Sequence, residues 1–278
     1  MKAIRWFIAM TMIAAFPFMQ SCKKESTTNQ NLQSTTAVAA DNSKAEAAYD
    51  NVKLWSDKAM AGHALKTGNG DTVYMGTCVL ATLNLGVNPY LLTIDFGNTN
   101  CLCDDGKYRR GKIIVTFTGS YWSQGTVITY SFDNFFVDND QILGTKTITN
   151  MGTDQSGHPW WQVQVSGQII LANNGGNITW NSSYQYEWSE GYGTPFVWWD
   201  DVYLISGSAN GVSAGGVSYS YSITTPLKKK LNCEWIVSGI LEIQPQGAPA
   251  AILDYGDGTC DDILNVTYDG QTFVVHMG

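Results

Sequence analysis

The sequence predicts an all-β protein of antiparallel sheets, built as a sandwich or an extended sheet, with one short N-terminal helix. Three observations carry this. From about residue 72 onward, apolar and polar residues alternate with a period of two, as in strands with one buried and one wet face. Charged residues make up only 14% of the 278-residue chain while aromatics reach 12%. Thr and aromatic residues fit a pleated surface, and the abundant Gly and Asn make its turns. No strand–helix–strand spacing occurs, which excludes a parallel sheet. The formal net charge of −8 repels a polyanion, so nucleic acid is excluded as a partner.

Residues 1–21 read as a targeting segment. Lys2 and Arg5 precede an apolar run from Trp6 to Met19, too short to span a bilayer comfortably. The run ends in "MQSC". A small residue directly before a Cys at this point resembles the lipobox of bacterial lipoproteins, departing at Met19 and Gln20 from the commonest pattern. That resemblance implies a lipidated Cys22, palmitate among its acyl chains, as the mature N-terminus. Several chains, at about 0.8 kcal/mol per buried CH₂, hold a protein on a membrane durably. Lys23, where Asp would signal inner-membrane retention in enterobacteria, implies the outer membrane, with either face open.

Residues 22–42, rich in Ser, Thr, Asn and Gln, read as a flexible tether. A helix is expected at about 43–61. Ser43 and Glu46 offer a capping box, Ala48, Val52, Trp55 and Ala59 fall at helical spacing, and Gly62 supplies the stop. The rest, to residue 278, reads as β. Ile113, Val115 and Phe117 share a face, as do Ile128, Tyr130, Phe132 and Phe136. Ile178, Trp180, Tyr184, Tyr186 and Trp188 alternate with polar residues, and Tyr219, Tyr221 and Ile223 align. So do Trp235, Val237, Leu241 and Ile243. Asp269-Gly270 is a two-residue hairpin signal that sets Val266 opposite Phe273.

One phrase occurs twice: "TIDFGNTNCLCDD" at 93–105 and "ILDYGDGTCDD" at 252–262. Each follows an apolar strand and a Pro/Gly turn, and each hairpin opens with a Cys, Cys78 or Cys233. Folding at the turns brings Cys233 near Cys260, and Cys78 near Cys101 or Cys103, the choice between the last two being open. Such bridges suit an exported chain, and closing loops of this size contributes on the order of 3 kcal/mol. The phrase is then the open end of a stapled hairpin in an internally duplicated fold, its Asp and Gly making a tight turn. The alternative is calcium, held by Asp254, Asp257, Asp261 and Asp262, although the spacing fits no EF-hand loop. The second copy also resembles the Asp-Phe-Gly-Asp-Gly turn of PKD-type β-sandwich modules, which implies a structural role.

Catalytic motifs are absent from the sequence. His63, His158 and His276 are isolated, and no metalloprotease, nucleophile-elbow or phosphate-loop pattern occurs. Glu187, Glu190, Asp200 and Asp201 lie in an aromatic-rich stretch and are the carboxylates a glycan-degrading enzyme would draw on. Acidic residues beside turns are more often simply solvated, so an enzyme is not expected. Trp160, Trp161, Trp188, Trp198 and Trp199 are the candidate ligand-binding residues, as stacking platforms for sugar rings or a docking surface. The competing reading places most of them in the core, with one member of each Trp doublet exposed.

The phrases "TIDFGN", "RRGKIIVTFTG", "GTKTITN", "DDVYLISGSANG" and "ILDYGDGTCDD" resemble a family of uncharacterised β-rich outer-membrane lipoproteins of Bacteroidota, over most of residues 45–278. That resemblance implies the anchor and the fold and supplies no catalytic residue. The expected function is non-enzymatic, a lipid-anchored envelope protein that binds glycan or an envelope protein through aromatic residues. A periplasm-facing lipid-handling β-protein and a glycan-degrading enzyme are the alternatives. No cofactor is expected, calcium apart.

Overall fold

The computed structural model describes residues 23–64, 72–194 and 197–276. Cys22 and the side chain of Trp198 lie outside what is described. One helix, α1 (Lys23–Ala64), precedes fifteen strands. The first five are β1 (Thr72–Met75), β2 (Val79–Asn84), β3 (Tyr90–Asp95), β4 (Cys101–Leu102) and β5 (Tyr108–Phe117). Next come β6 (Val127–Val137), β7 (Asp140–Thr153), β8 (Pro159–Ile170), β9 (Asn177–Glu190) and β10 (Val202–Val212). The last are β11 (Ser218–Lys230), β12 (Ile236–Pro245), β13 (Ala251–Asp257), β14 (Ile263–Tyr268) and β15 (Gln271–His276). Apart from β4, which pairs with β5, the strands form one antiparallel sheet in chain order, with β1 and β15 as its edges. The architecture is therefore the extended sheet rather than the sandwich. Because every connection is a hairpin, alternate loops share one end of the sheet.

The helix is longer than its sequence signals. The expected tether is helical from Lys23 on, and Ser43, expected as a cap, is an exposed residue inside the helix. A buried stripe explains this. Thr35, Val38, Asn42, Ala45, Tyr49, Val52, Ser56 and Ala59 recur at intervals of three and four, and all face the sheet. Three of the eight are polar, so the stripe is faint by hydrophobicity alone.

Specific contacts fix how α1 crosses the inner face of the sheet. Near one end, Ala214 N donates to the Asp41 carboxylate at 2.7 Å, and Trp180 Nε1 donates to Asn42 Oδ1 at 2.9 Å. In the middle, the fully buried Tyr49 stacks on Trp180 at 5.7 Å and donates its hydroxyl to the Leu143 carbonyl at 2.7 Å. A Cβ on Gly167 would stand 1.9 Å from the Tyr49 hydroxyl, so only glycine lets the ring lie against β8. Further along, Ser56 and Tyr130 hydroxyls meet at 3.2 Å and Trp55 packs edge-on against Phe96 at 5.1 Å.

Most expected facings hold. Ile113, Val115, Ile178, Trp180, Tyr184, Trp188, Tyr219, Tyr221, Val237, Leu241 and Ile243 are buried. Val266 pairs with Phe273, and Asp269 and Gly270 take φ of 47° and 75° between the two strands. β6 departs from the expectation. Asn134 takes φ 46°, a bulge whose backbone lies so close to Gly111 that a Cβ there would be 1.9 Å from Asn134 O. Facing inverts beyond it. Phe135 is buried, and Phe136, expected on the inner face, lies under the Arg110 guanidinium at 3.7 Å.

Both staples form. Cys233 pairs with Cys260 and Cys78 with Cys101, with Cα separations of 5.8 and 6.0 Å. Cys103 remains a buried free thiol, and burial pushes its pKa up. Each repeated phrase closes the same turn. Asp95 Oδ1 accepts Gly97 N at 2.8 Å, and Asp254 Oδ1 accepts Gly256 N at 2.9 Å.

Candidate functional site

Beside α1 the inner face carries a cleft. It has a volume of about 380 Å³ and lies between Asp50, Lys53, Leu54 and Asp57 of the helix and the inward side chains of β7–β10. Trp161, Tyr186, Tyr203, Ile148, Val163 and Ile205 floor it, and Tyr121 and Lys229 stand at its wall. Beyond Tyr121 a second hollow of about 390 Å³ reaches Leu92, Val115, Tyr130 and Trp122. Asp57 and Tyr121 line both hollows.

An aromatic cluster frames the mouth. Tyr121 stacks on Trp161 with centroids 5.3 Å apart, and Trp188 stacks on Tyr203 at 5.9 Å. Trp122 bridges the two stacks, 5.9 Å from Trp161 and 5.6 Å from Trp188, yet 64% of its surface is exposed. Tyr121 and Trp122 sit in the β5–β6 loop, where no periodicity marks them, and composition was the only sequence signal for them. Tyr203 and Lys146 were likewise not distinguished by sequence.

Charges line the helix side. Lys53 Nζ lies 2.6 Å from Asp57 Oδ2 and over the Tyr121 ring at 5.0 Å. Lys146, whose side chain is buried, bonds Asp50 at 2.7 Å and the Tyr49 carbonyl at 3.1 Å. Lys229 donates to the Cys233 and Glu234 carbonyls, and burial lowers its pKa. One turn before Asp50, burial and then the Asp50 charge hold the Glu46 carboxyl up at about 7, against the pull of Lys146. Not every polar group here is satisfied. Trp161 Nε1, Tyr184 Oη and Tyr219 Oη are buried without a partner among the described residues.

The candidate tryptophans divide. Trp161, on the cleft floor, and Trp188, against Trp122 and Tyr203, are buried, Trp160 is half-buried, and Trp199 is 55% exposed. In the doublet that is fully described, one member faces in and its neighbour is more exposed. The carboxylates of the same stretch have local partners. Glu187 Oε1 lies 2.6 Å from His158 Nδ1, and Glu190 pairs with Lys228 at 2.9 Å. Asp200 accepts the Thr194 hydroxyl at 2.8 Å, and Asp201 accepts Trp188 Nε1 at 3.2 Å.

Among the described residues, one trio, Asp154, His158 and Glu187, brings three potential metal-ligand atoms within 4.8 Å of one another. Asp154 Oδ1 accepts the amides of Ser156 and His158, and the His158–Glu187 bond engages the other two, so turn geometry accounts for the cluster. The same holds for the acidic run near the C-terminus. Asp254 bonds Gly256 N, Asp257 bonds the amide and hydroxyl of Thr259, and Asp261 bonds Ile263 N. Asp262 pairs with His276 at 2.9 Å.

No family model, curated protein or solved structure matches the chain. The cleft must therefore be read from its own chemistry.

Proposed function

We propose that this chain is a lipid-anchored protein of the outer membrane, held through Cys22, that binds a glycan without turning it over. The cleft between α1 and the sheet is the binding site. The observation that carries this reading is the combination of stacking rings and charged groups lining one concavity. Tyr121, Trp161, Tyr186 and Tyr203 offer apolar area, and Asp50, Lys53, Asp57, Lys146 and Lys229 offer hydrogen bonds. A sugar ring has one apolar face and a rim of hydroxyls, and suits such a lining. An acyl chain would leave five charged groups beside hydrocarbon, at the cost of their hydration.

Calorimetric titration of the full chain with a panel of soluble oligosaccharides tests the proposal. Saturable binding is expected, weakened about tenfold or more by Tyr121→Ala, which corresponds to 1.4 kcal/mol. Displacement of a fluorescent fatty acid by lipid, with no oligosaccharide binding, would replace this reading with the lipid-handling one. The anchor has its own test. Cys22→Ala is expected to take up no labelled fatty acid and to leave the membrane fraction; labelling of that variant would overturn the lipobox reading.

A further inference from the structure

The charges that line the cleft do not cancel. Lys53 faces Asp57 at 2.6 Å and Lys146 faces Asp50 at 2.7 Å, two matched pairs. Lys229 is the remaining charged group of the lining, and among the described residues no carboxylate forms an ion pair with it. Its ammonium donates to the Cys233 carbonyl at 2.8 Å and to the Glu234 carbonyl at 2.6 Å. An ammonium has three donors, so one N–H is left over. The Glu234 side chain, on an exposed residue, is the acid whose charge bears on it from outside the cleft. Glu46, one turn from Asp50, is not part of the lining either, and burial favours its neutral form. Three lysines against two aspartates therefore leave a surplus positive charge in the cleft of a chain whose net charge is −8.

The second unmet group is also a donor. Trp161, 2% exposed and on the cleft floor, buries an indole N–H with no acceptor among the described residues. What the cleft lacks is acceptor oxygen and negative charge. Sheet register places the surplus cation beside a stacking ring. Trp188, Tyr203 and Lys229 are direct cross-strand partners on β9, β10 and β11, so one row across the inner face carries all three. Side chains directly opposite in such a pair stand about 5 Å apart at Cβ. Tyr203 stacks on Trp188 at 5.9 Å, and Tyr203 and Lys229 both line the cleft. A sugar ring packed against Tyr203 would hold a carboxylate on its own ring carbon within reach of the Lys229 ammonium. The adjacent Lys228 pairs with Glu190 at 2.9 Å and does not line the cleft.

We propose that Lys229 is the specificity-determining residue of the cleft, selecting a glycan with a single acidic sugar, a uronic or sialic acid, whose carboxylate it binds. The proposal rests on the glycan reading above and names the class of glycan. A densely charged polyanion fits less well, because one surplus cation does not offset the repulsion of the rest of the chain. The chemistry recognised is a carboxylate, which a fatty acid also carries. Lys229 ties the β11–β12 turn as well, through its two carbonyl contacts, so its loss is read as a ratio of affinities rather than as an affinity alone.

Calorimetry on the full chain uses matched probes: cellobiouronic acid against cellobiose, glucuronosyl-xylotriose against xylotriose, and sialyllactose against lactose. In at least one pair the acid is expected to bind about tenfold more tightly than its neutral parent. Lys229→Met keeps the apolar stem and removes the charge, and is expected to bring that ratio to about one. Lys228→Met removes the same charge outside the cleft and is expected to leave the ratio unchanged. The wild-type ratio needs no variant and stands even if one fails to fold. Neutral parents that bind as tightly as their acids overturn the carboxylate selection and leave the glycan reading intact. A preference that survives Lys229→Met, or is lost equally in Lys228→Met, overturns the role of Lys229. Dodecanoate that binds through Lys229 while no sugar binds keeps the carboxylate site and removes the glycan reading. No binding by any of these acids overturns the proposal, and the neutral oligosaccharides decide the glycan reading separately.

Discussion

Two parts of the inner face are built from the same residue types and end in opposite states. Where α1 lies on the sheet, aromatic polar atoms find partners. Tyr49 donates to Leu143 O, Trp180 to Asn42, and Tyr130 meets Ser56. Over β8, β9 and β11, the indole of Trp161 and the hydroxyls of Tyr184 and Tyr219 have none among the described residues. A protein that merely filled its core with rings would treat both regions alike. The difference marks the second region as one where buried ring atoms lack partners, next to the cleft that Trp161 lines.

The largest effect is expected where the helix is seated. Tyr49→Ala removes a fully buried ring that four elements share, and is expected to cost about 3–5 kcal/mol in denaturant unfolding. A loss below about 1 kcal/mol would mean that α1 is not the element holding the inner face.

Trp180→Phe and Trp161→Phe sharpen the comparison directly. Both are buried indoles, but only the first leaves a buried partner, Asn42, without its donor. Trp180→Phe is expected to cost about 1–3 kcal/mol more than Trp161→Phe. Equal costs would erase the distinction between the two regions.

The pH dependence of stability carries a definite sign. The pKa of Glu46 is raised in the fold, from 4.5 to about 7. Between those values the folded chain holds a proton that the unfolded chain has released, so stability falls as pH rises through the window and levels off above it. Discounted for partial solvent access, the fall is on the order of 1–3 kcal/mol. Glu46→Gln is expected to flatten it. Asp105 acts oppositely. Arg109 holds its carboxyl below the usual range, so its contribution is lost as pH falls. A melting temperature that rises between pH 5 and pH 7 in wild type but not in Glu46→Gln would contradict the assignment.

The smallest effect concerns the acidic run at 254–262, where the carboxylates already have partners. Asp257→Asn keeps an acceptor for Thr259, and neither it nor EDTA is expected to move the melting temperature. A rise on adding millimolar calcium, abolished by Asp257→Asn, would restore the metal reading.

Much of the frame was legible because period-two alternation states directly which side chains are buried. The Cys233–Cys260 staple and the Val266–Phe273 register followed from hairpins whose turns are written in Gly, Pro and Asp. The choice of Cys101 over Cys103 was not legible. The two differ by two positions, and the short pairing of β4 with β5 decides between them. The extended helix was hidden because Thr35, Asn42 and Ser56 stand where apolar residues would have announced it. The inversion at Phe135 and Phe136 needs a positive φ at Asn134, which alternation cannot foresee. The site was the least legible part. Glu46 fits a capping box in the sequence and lies inside the helix in the fold, because the helix starts twenty residues earlier. Tyr121 and Trp122 lie in a loop and acquire meaning only when the sheet brings Trp161 and Trp188 beneath them.

The most direct test of the contrast between partnered and unpartnered rings is an indole N–H NMR spectrum of the full chain, with Trp161 and Trp180 assigned from their Phe variants. Trp161 is expected to exchange with solvent faster than Trp180 in the free protein. On addition of a bound oligosaccharide, the Trp161 resonance is expected to shift and slow its exchange while Trp180 stays fixed. Equal protection of both indoles in the free protein, or a ligand that shifts Trp180 and leaves Trp161 unmoved, would contradict the claim that the cleft floored by Trp161 is the binding site.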